Sequence, residues 1–226
     1  MLIAVAVLVT ACGGGSNQTS QKTPTAGALL ADVKSALHKQ VGVHVVVTVK
    51  PSPSSAEEKV VADFGTTSGI ERISEGKATL TVEVTPADAY MKGNSSGLTT
   101  FLGLSQKQAQ TVGAHWVSFT SRSAPYSGLK STTTIGVLAQ GLPQAKGTTL
   151  SSVIVNGSRQ DILHWTSAAT SSSPALSNTL TIEGFLPVEQ RSTSSTGESI
   201  ENLSHWGESI HISTPSSAST IPYTKI

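Results

Sequence analysis

From residue 43 the chain alternates. Val43, Val45, Val47 and Val49 share one parity and His44, Thr48 and Lys50 the other, with Val46 the exception. A period of two sends successive side chains to opposite faces, so the run predicts a half-buried strand, ended by Pro51-Ser52-Pro53. Residues 70–74 and 77–85 flank Glu75-Gly76, a hairpin signal. In the second of these runs Ala78, Leu80, Val82 and Val84 alternate with Lys77, Thr79, Thr81 and Glu83. One apolar and one wet face is the signature of an antiparallel sheet, and 88–92 continues the meander.

The period lengthens in three places. Leu29, Leu30, Val33 and Leu37 recur at helical spacing and predict a helix over 27–40. Residues 98–112 open with Leu98, Phe101, Leu102 and Leu104 and turn polar, while 130–142 sets Ile135, Leu138 and Leu142 on one helical face before Pro143. A short strand over 115–120 separates these two segments. After Gly147 the pattern is all strand: 150–155, 160–167, 179–184, 186–193, 199–206 and 209–213. No strand–helix–strand repeat points to a parallel sheet. The order predicts an α+β fold, a large curved antiparallel sheet with helices covering one face.

The N-terminal residues have another pattern. Residues 1–11 are apolar except Thr10, shorter than the roughly 20 residues that span a bilayer but the length of a signal-peptide core. They end at Cys12, the single cysteine, so no disulfide forms within the chain and a zinc site has one ligand where about four are needed. Val9-Thr10-Ala11-Cys12 resembles a bacterial lipobox, in which the cysteine becomes the first mature residue and carries acyl chains, although no basic residue precedes Lys22. The expected organisation is a signal peptide over 1–11, a lipidated Cys12 with a flexible tether over 12–26, one domain over 27–215, and a flexible Ser/Thr/Pro tail over 216–226. Charged residues make up only 13% and the net charge is +1, which leaves no electrostatic footprint for nucleic acid or an anionic surface. Aromatic residues at 4% also argue against a base-stacking platform.

Two motifs carry candidate chemistry. Gly93-Asn94-Ser95-Ser96-Gly97 matches the G-x-S-x-G nucleophile elbow, with Asp161 and His164, or Glu201 and His205, available as partners. That elbow belongs to a parallel α/β sheet, and the match is cheap in a serine-rich chain, so an ordinary loop is expected. Each tryptophan follows a histidine: His115-Trp116, His164-Trp165 and His205-Trp206. No ligand spacing accompanies them, so the rings are expected to be structural anchors, with no metal and no cofactor.

Four segments, in order, resemble the actinobacterial lipoproteins with a LolA/LolB-like fold, the broad LppX/LprG group. Ala89-Tyr90-Met91-Lys92-Gly93 is similar to that family's Y-x-K-G strand, and Val112-Gly113-Ala114-His115-Trp116-Val117 to its G-x-W-V strand. Gly184-Phe185-Leu186-Pro187-Val188-Glu189 resembles its G-L-P-V hairpin, and residues 203–215 resemble its closing segment around Trp206-Gly207 and Pro215. The resemblance implies an incomplete antiparallel barrel whose concave face, covered by helices, encloses an apolar cavity for acyl chains. The periodicities select the side chains that would face it: Val45, Val47, Leu80, Val82, Leu180 and Ile182 from strands, Phe101, Leu102, Ile135 and Leu138 from helices.

The expectation is a lipid-anchored protein on the extracytoplasmic face of the cell membrane. It would bind or carry lipids or other hydrophobic molecules without catalysis, with the membrane and an envelope protein as further partners. The alternative is the same fold with a filled core, acting as a cell-surface scaffold or regulatory partner. A hydrolase using Ser95 ranks last.

Overall fold

Thr25 starts the first element: its hydroxyl accepts from the Ala28 N–H at 3.2 Å and caps α1 (Ala26–Leu37), which buries the predicted stripe of Leu29, Leu30, Val33 and Leu37. The computed structural model describes residues 24–51, 56–170 and 173–226, so the signal peptide, Cys12 and most of the tether lie outside the described residues. Five strands follow as a meander: β1 (Gly42–Pro51), β2 (Glu58–Gly65), β3 (Gly69–Glu75), β4 (Ala78–Val84) and β5 (Asp88–Gly93). Helices α2 (Ser95–Leu102) and α3 (Gln106–Val112) lead to β6 (Trp116–Thr120), and α4 (Ala124–Thr132) and α5 (Gly136–Gln140) lead away from it. A second meander runs through β7 (Thr149–Val155), β8 (Ser158–Ser167), β9 (Leu176–Glu183), β10 (Leu186–Ser194) and β11 (Gly197–Ser204), and β12 (Thr220–Pro222) comes last.

These strands form one twelve-stranded sheet in the order β12-β6-β5-β4-β3-β2-β1-β11-β10-β9-β8-β7. Every pairing is antiparallel except β12 with β6. The two meanders join where β1 pairs β11, with Val45 opposite Leu203 and Val47 opposite Glu201. The sheet does not close. Because β6 and β7 lie near its opposite ends, the chain between them must cross the sheet, and that crossover carries α4 and α5.

The core has three parts. Leu80, Val82 and Val84 of β4, with Met91, Val117 and Phe119, pack under Leu98 of α2 and Ala109 and Val112 of α3. At the far end α1 lies on Leu163, Leu180 and Ile182 of β8 and β9. Between them Val43, Val45, Ala62, Phe64 and Leu203 pack with Ile135.

Several elements differ from the sequence expectation. The strand β2 was not foreseen, and its parity puts Ala62 and Phe64 inside. The 98–112 segment is two helices, because Gly103 adopts a left-handed φ of 64° and Ser105 starts a new capping box with Gln108. The 130–142 segment likewise divides into α4, which begins earlier, and α5. Residues 209–213 join no ladder. His205 and Gly207, at positive φ, turn the chain after β11, and Ile210 instead rests against Gly42 and Gly65, where any added Cβ would collide. Nor is 216–226 a free tail. Thr220, Ile221 and Pro222 pair with Trp116, Val117 and Ser118, the Tyr223 ring lies 5.0 Å from that of Phe119, and Ile226 packs on the β4–β6 core. Three apolar side chains at matching spacing outweigh the low-complexity composition around them.

Candidate functional site

The crossover does not pack flush on the sheet. A cavity of about 260 Å³ lies between them, just under the roughly 300–1,000 Å³ of typical ligand pockets. Its floor comes from neighbouring strands: Val60, Ala62 and Phe64 of β2, Val45 and Val47 of β1, and Leu203 of β11. Its roof is the end of α4 at Thr132, then Val137 and Leu138 of α5, then Gly141 and Leu142. Leu180 and Pro187 close one side. The strand side chains meet there because positions of one parity on paired strands project to the same face. The helical ones meet there because the topology takes the chain across.

The roof is held at the ends of its two helices more than along them. Neither α4 nor α5 has a side-chain hydrogen bond at its N-cap, and α5 has no fully buried residue. The attachments lie beside those helix starts. The Tyr126 hydroxyl of α4 donates toward the Thr85 and Pro86 carbonyls at 2.9 and 2.8 Å. At the α4–α5 junction the Ile135 N–H donates to the Gly65 carbonyl at 3.0 Å, with Thr133 and Ile135 buried.

Three polar side chains also line the cavity. Glu71 of β3 projects with Ile73 on the inner face, and Glu201 of β11 shares parity with Leu203. Gln190 of β10 sits directly across from Glu201. It faces inward together with Pro187, three residues away, because an extra residue between Pro187 and Glu189 shifts the β9–β10 register. Burial pushes the Glu201 carboxyl above its ordinary value, and burial with the nearby Glu58 charge does the same to Glu71. Among the described residues no ion pair or side-chain hydrogen bond engages either carboxylate. The sequence reading missed Glu71 and Gln190 and named Glu201 only as a candidate partner of Ser95; for the two glutamates, the parity they share with Ile73 and Leu203 was the available signal.

The ten side chains selected from periodicity fall into two groups. Val45, Val47, Leu138 and Leu180 line the cavity. Leu80 and Val82, at 4% and 3% exposure, lie in the β4–β6 core, with Phe101 and Leu102 packed against it. Ile182 sits beneath α1, and Ile135 packs with Val43 and Phe64. All ten lie in the interior or against it, but α2 and α3 fill their end of the sheet, so this cavity lies under the crossover and not beneath those two helices.

The G-x-S-x-G segment is a structural joint. The Asn94 carboxamide oxygen accepts from the Gly97 N–H at 2.7 Å and caps α2, and also accepts from the Thr79 N–H at 3.2 Å. Its Nδ2 donates to the Lys77 carbonyl at 2.7 Å. A Cβ at Gly97 would run into the Thr79 backbone, so both ends of the segment fasten α2 to β4. Of the suggested partners of Ser95, Asp161 is engaged with Ser152 and Arg159 and His164 with Ser151 at 3.1 Å, while Glu201 lines the cavity and His205 stands beside His44.

The histidine–tryptophan pairs are also separate from one another. His115 lies 3.0 Å from the Val112 carbonyl, while Lys92 Nζ is 5.7 Å from the Trp116 ring. Trp165 packs beside the α1 core, and the Trp206 indole donates to the Pro187 carbonyl at 3.0 Å. The His205 ring stands 5.6 Å from His44, which pairs with Asp63 at 2.7 Å. Among the described residues no three ligand-type side chains converge as a metal site would need, and no helix is long and apolar enough to cross a membrane.

The fold has counterparts of known structure. LprF from Mycobacterium bovis is similar with a TM-score of 0.53 and 19% identity, over 84% of this chain and 96% of that one. The Mycobacterium tuberculosis lipoprotein LppX matches with a TM-score of 0.42 and 17% identity, over 82% and 98%. No family model matches the chain, and neither does any curated protein. At such identities the likeness is one of architecture: the chain has the unclosed, mostly antiparallel sheet and helical cover of LprF, the fold its own motifs resemble.

Proposed function

We propose that this chain is a lipid-anchored extracytoplasmic protein that binds and carries hydrophobic molecules and catalyses no reaction. The observation that carries the reading is the cavity between the valine floor of β1 and β2 and the α4–α5 roof. A cavity of about 260 Å³ holds one short apolar chain, and a larger lipid requires the roof to move. The apolar leader ending at Cys12 supports the anchor, and the joint built from Asn94 and Gly97 supports the absence of a serine nucleophile.

Native mass spectrometry of the domain purified from its own membranes tests the carrier reading. The expected result is a population with bound lipid, lost when Val47→Trp fills the cavity. A single unliganded mass, together with no uptake of added lipid, discards carriage in favour of a scaffold role. For the anchor, Cys12→Ala is expected to release the protein into the medium or leave its leader uncleaved. A variant that stays on the membrane with unchanged mass refutes lipidation.

A further inference from the structure

The cavity is apolar in shape but acidic in charge. Its lining includes Glu71 and Glu201 and not one lysine, arginine or histidine. We infer that, among the hydrophobic ligands of the proposed function on which this inference rests, the cavity selects apolar chains ending in an amine, held by Glu201 with Gln190 and favoured by the second charge of Glu71.

The geometry supports this in three ways. Glu201 and Gln190 are cross-strand neighbours, so their side chains offer two acceptors side by side, as an ammonium with three donors requires. From that pair the floor runs over Val47 and Val60 on the same row of the sheet and Val45 and Ala62 on the next. A hydrocarbon chain lying there keeps its polar end on Glu201. Glu71 stands beyond, three strand steps from Glu201, roughly 14 Å along the sheet at about 4.8 Å per step. It adds negative potential at the opposite wall.

An uncompensated carboxylate in an apolar wall is unfavourable unless something pairs with it. Here no side chain does so among the described residues, and both groups are pushed toward the neutral form. A ligand that brings a positive charge relieves this. One that brings a carboxylate or phosphate adds a third negative charge to the same enclosure.

Calorimetric titration of the domain with octylamine, octan-1-ol, methyl octanoate and octanoate at neutral pH tests the inference. All four share one chain length, so the differences report the head. Octylamine is expected to bind at least about tenfold more tightly than octan-1-ol or methyl octanoate, with octanoate weakest. The Glu201→Gln variant is expected to remove most of the amine preference over octan-1-ol, because glutamine keeps the shape and removes the charge. Equal binding of amine, alcohol and ester overturns amine selection and leaves the carrier reading standing. So does an amine preference that survives in the Glu71→Gln/Glu201→Gln double variant. Failure of all four probes to bind overturns both.

Discussion

Val47 and Val82 hold equivalent places in two alternating runs, and their surroundings make them unlike. Val82 is 3% exposed beneath α2 and α3, whereas Val47 borders open space. Val82→Trp is therefore expected to overpack and to lower stability by about 1–3 kcal/mol or more, read as a shifted urea midpoint. Val47→Trp has room, and its midpoint should stay close to wild type while lipid binding is lost. Equal losses at both sites would mean that the middle of the sheet is as full as its end. Inwardness was legible in the sequence because parity fixes it. Emptiness was not, since it depends on how closely a helix from a distant segment settles on the strands. Parity also puts Glu71 and Glu201 inside, although a glutamate beside Arg72 or Asn202 reads at first as surface. Their titration gives a second test. Folding raises both carboxyls above their ordinary value of 4.5, so the stability tied to their protonation is complete below that pH. It is lost as pH rises through the raised folded values. Compared with wild type, the Glu71→Gln/Glu201→Gln variant should accordingly gain stability as pH is raised from 4.5 toward neutrality, measured by urea unfolding at a series of pH values. A difference that does not vary with pH would show that neither group is perturbed.

The elements most legible in the sequence were those whose own residues carry the whole signal. The apolar stripe of α1, the alternation of β1 and β4, and the hairpin at Glu75-Gly76 are all local. The elements that were missed depend on partners. In β2 Val60, Ala62 and Phe64 share the inner face and Lys59 and Asp63 the outer one. Val61 blurs this short alternation, and the pairing with β1 and β3 supplies the order. Conversely 209–213 alternates like a strand, but the turn through His205 and Gly207 carries it off the ladder. The Gly93–Gly97 stretch shows how a short motif gains its meaning from the elements it joins. Asn94 makes three hydrogen bonds there, one to α2 and two to the backbone at Lys77 and Thr79. Replacing a capping side chain by alanine typically costs about 0.5–2 kcal/mol. Asn94→Ala should lie toward the upper end, because it also removes the bonds to the Lys77 carbonyl and the Thr79 N–H. Asn94→Asp keeps the accepting oxygen but turns a carboxylate oxygen toward the Lys77 carbonyl, so it should recover only part of that loss. Ser95→Ala should fall within about 0.5 kcal/mol of wild type, as an exposed position does. A large loss at Ser95 with little at Asn94 would reverse the assignment of this segment as a joint.

At the scale of the whole molecule, the cavity is a consequence of chain order. Two meanders can share one sheet only by pairing at one end, and here β1 meets β11, which leaves β6 and β7 far apart. The connection between them has to span the face, and a span carrying two short helices covers the middle without filling it. The same sheet leaves the outer side of β6 open, and the chain meets this with its own end. β12 pairs there in parallel, Tyr223 stacks near Phe119, and the Gln108 side chain donates to the Ile226 carbonyl at 3.1 Å. Removing 216–226 therefore takes away more than a polar tail. It uncovers the Phe119 side of the core, leaves Gln108 without its acceptor and exposes the backbone of β6 as an unpaired edge. Loss of the partly buried Ile221 and Ile226 alone is worth roughly 1–3 kcal/mol, at about 25 cal/mol per Å² of apolar surface returned to water. The truncated domain should thus unfold at lower urea. It should also self-associate at concentrations where the full chain does not, as seen by sedimentation velocity, since an open edge strand recruits another. The cavity lies several strands away from β6, so ligand binding by the folded fraction should be unchanged. A truncation that leaves both stability and association unaltered would show that the last eleven residues only rest on the sheet, and that β6 is protected by its short length alone.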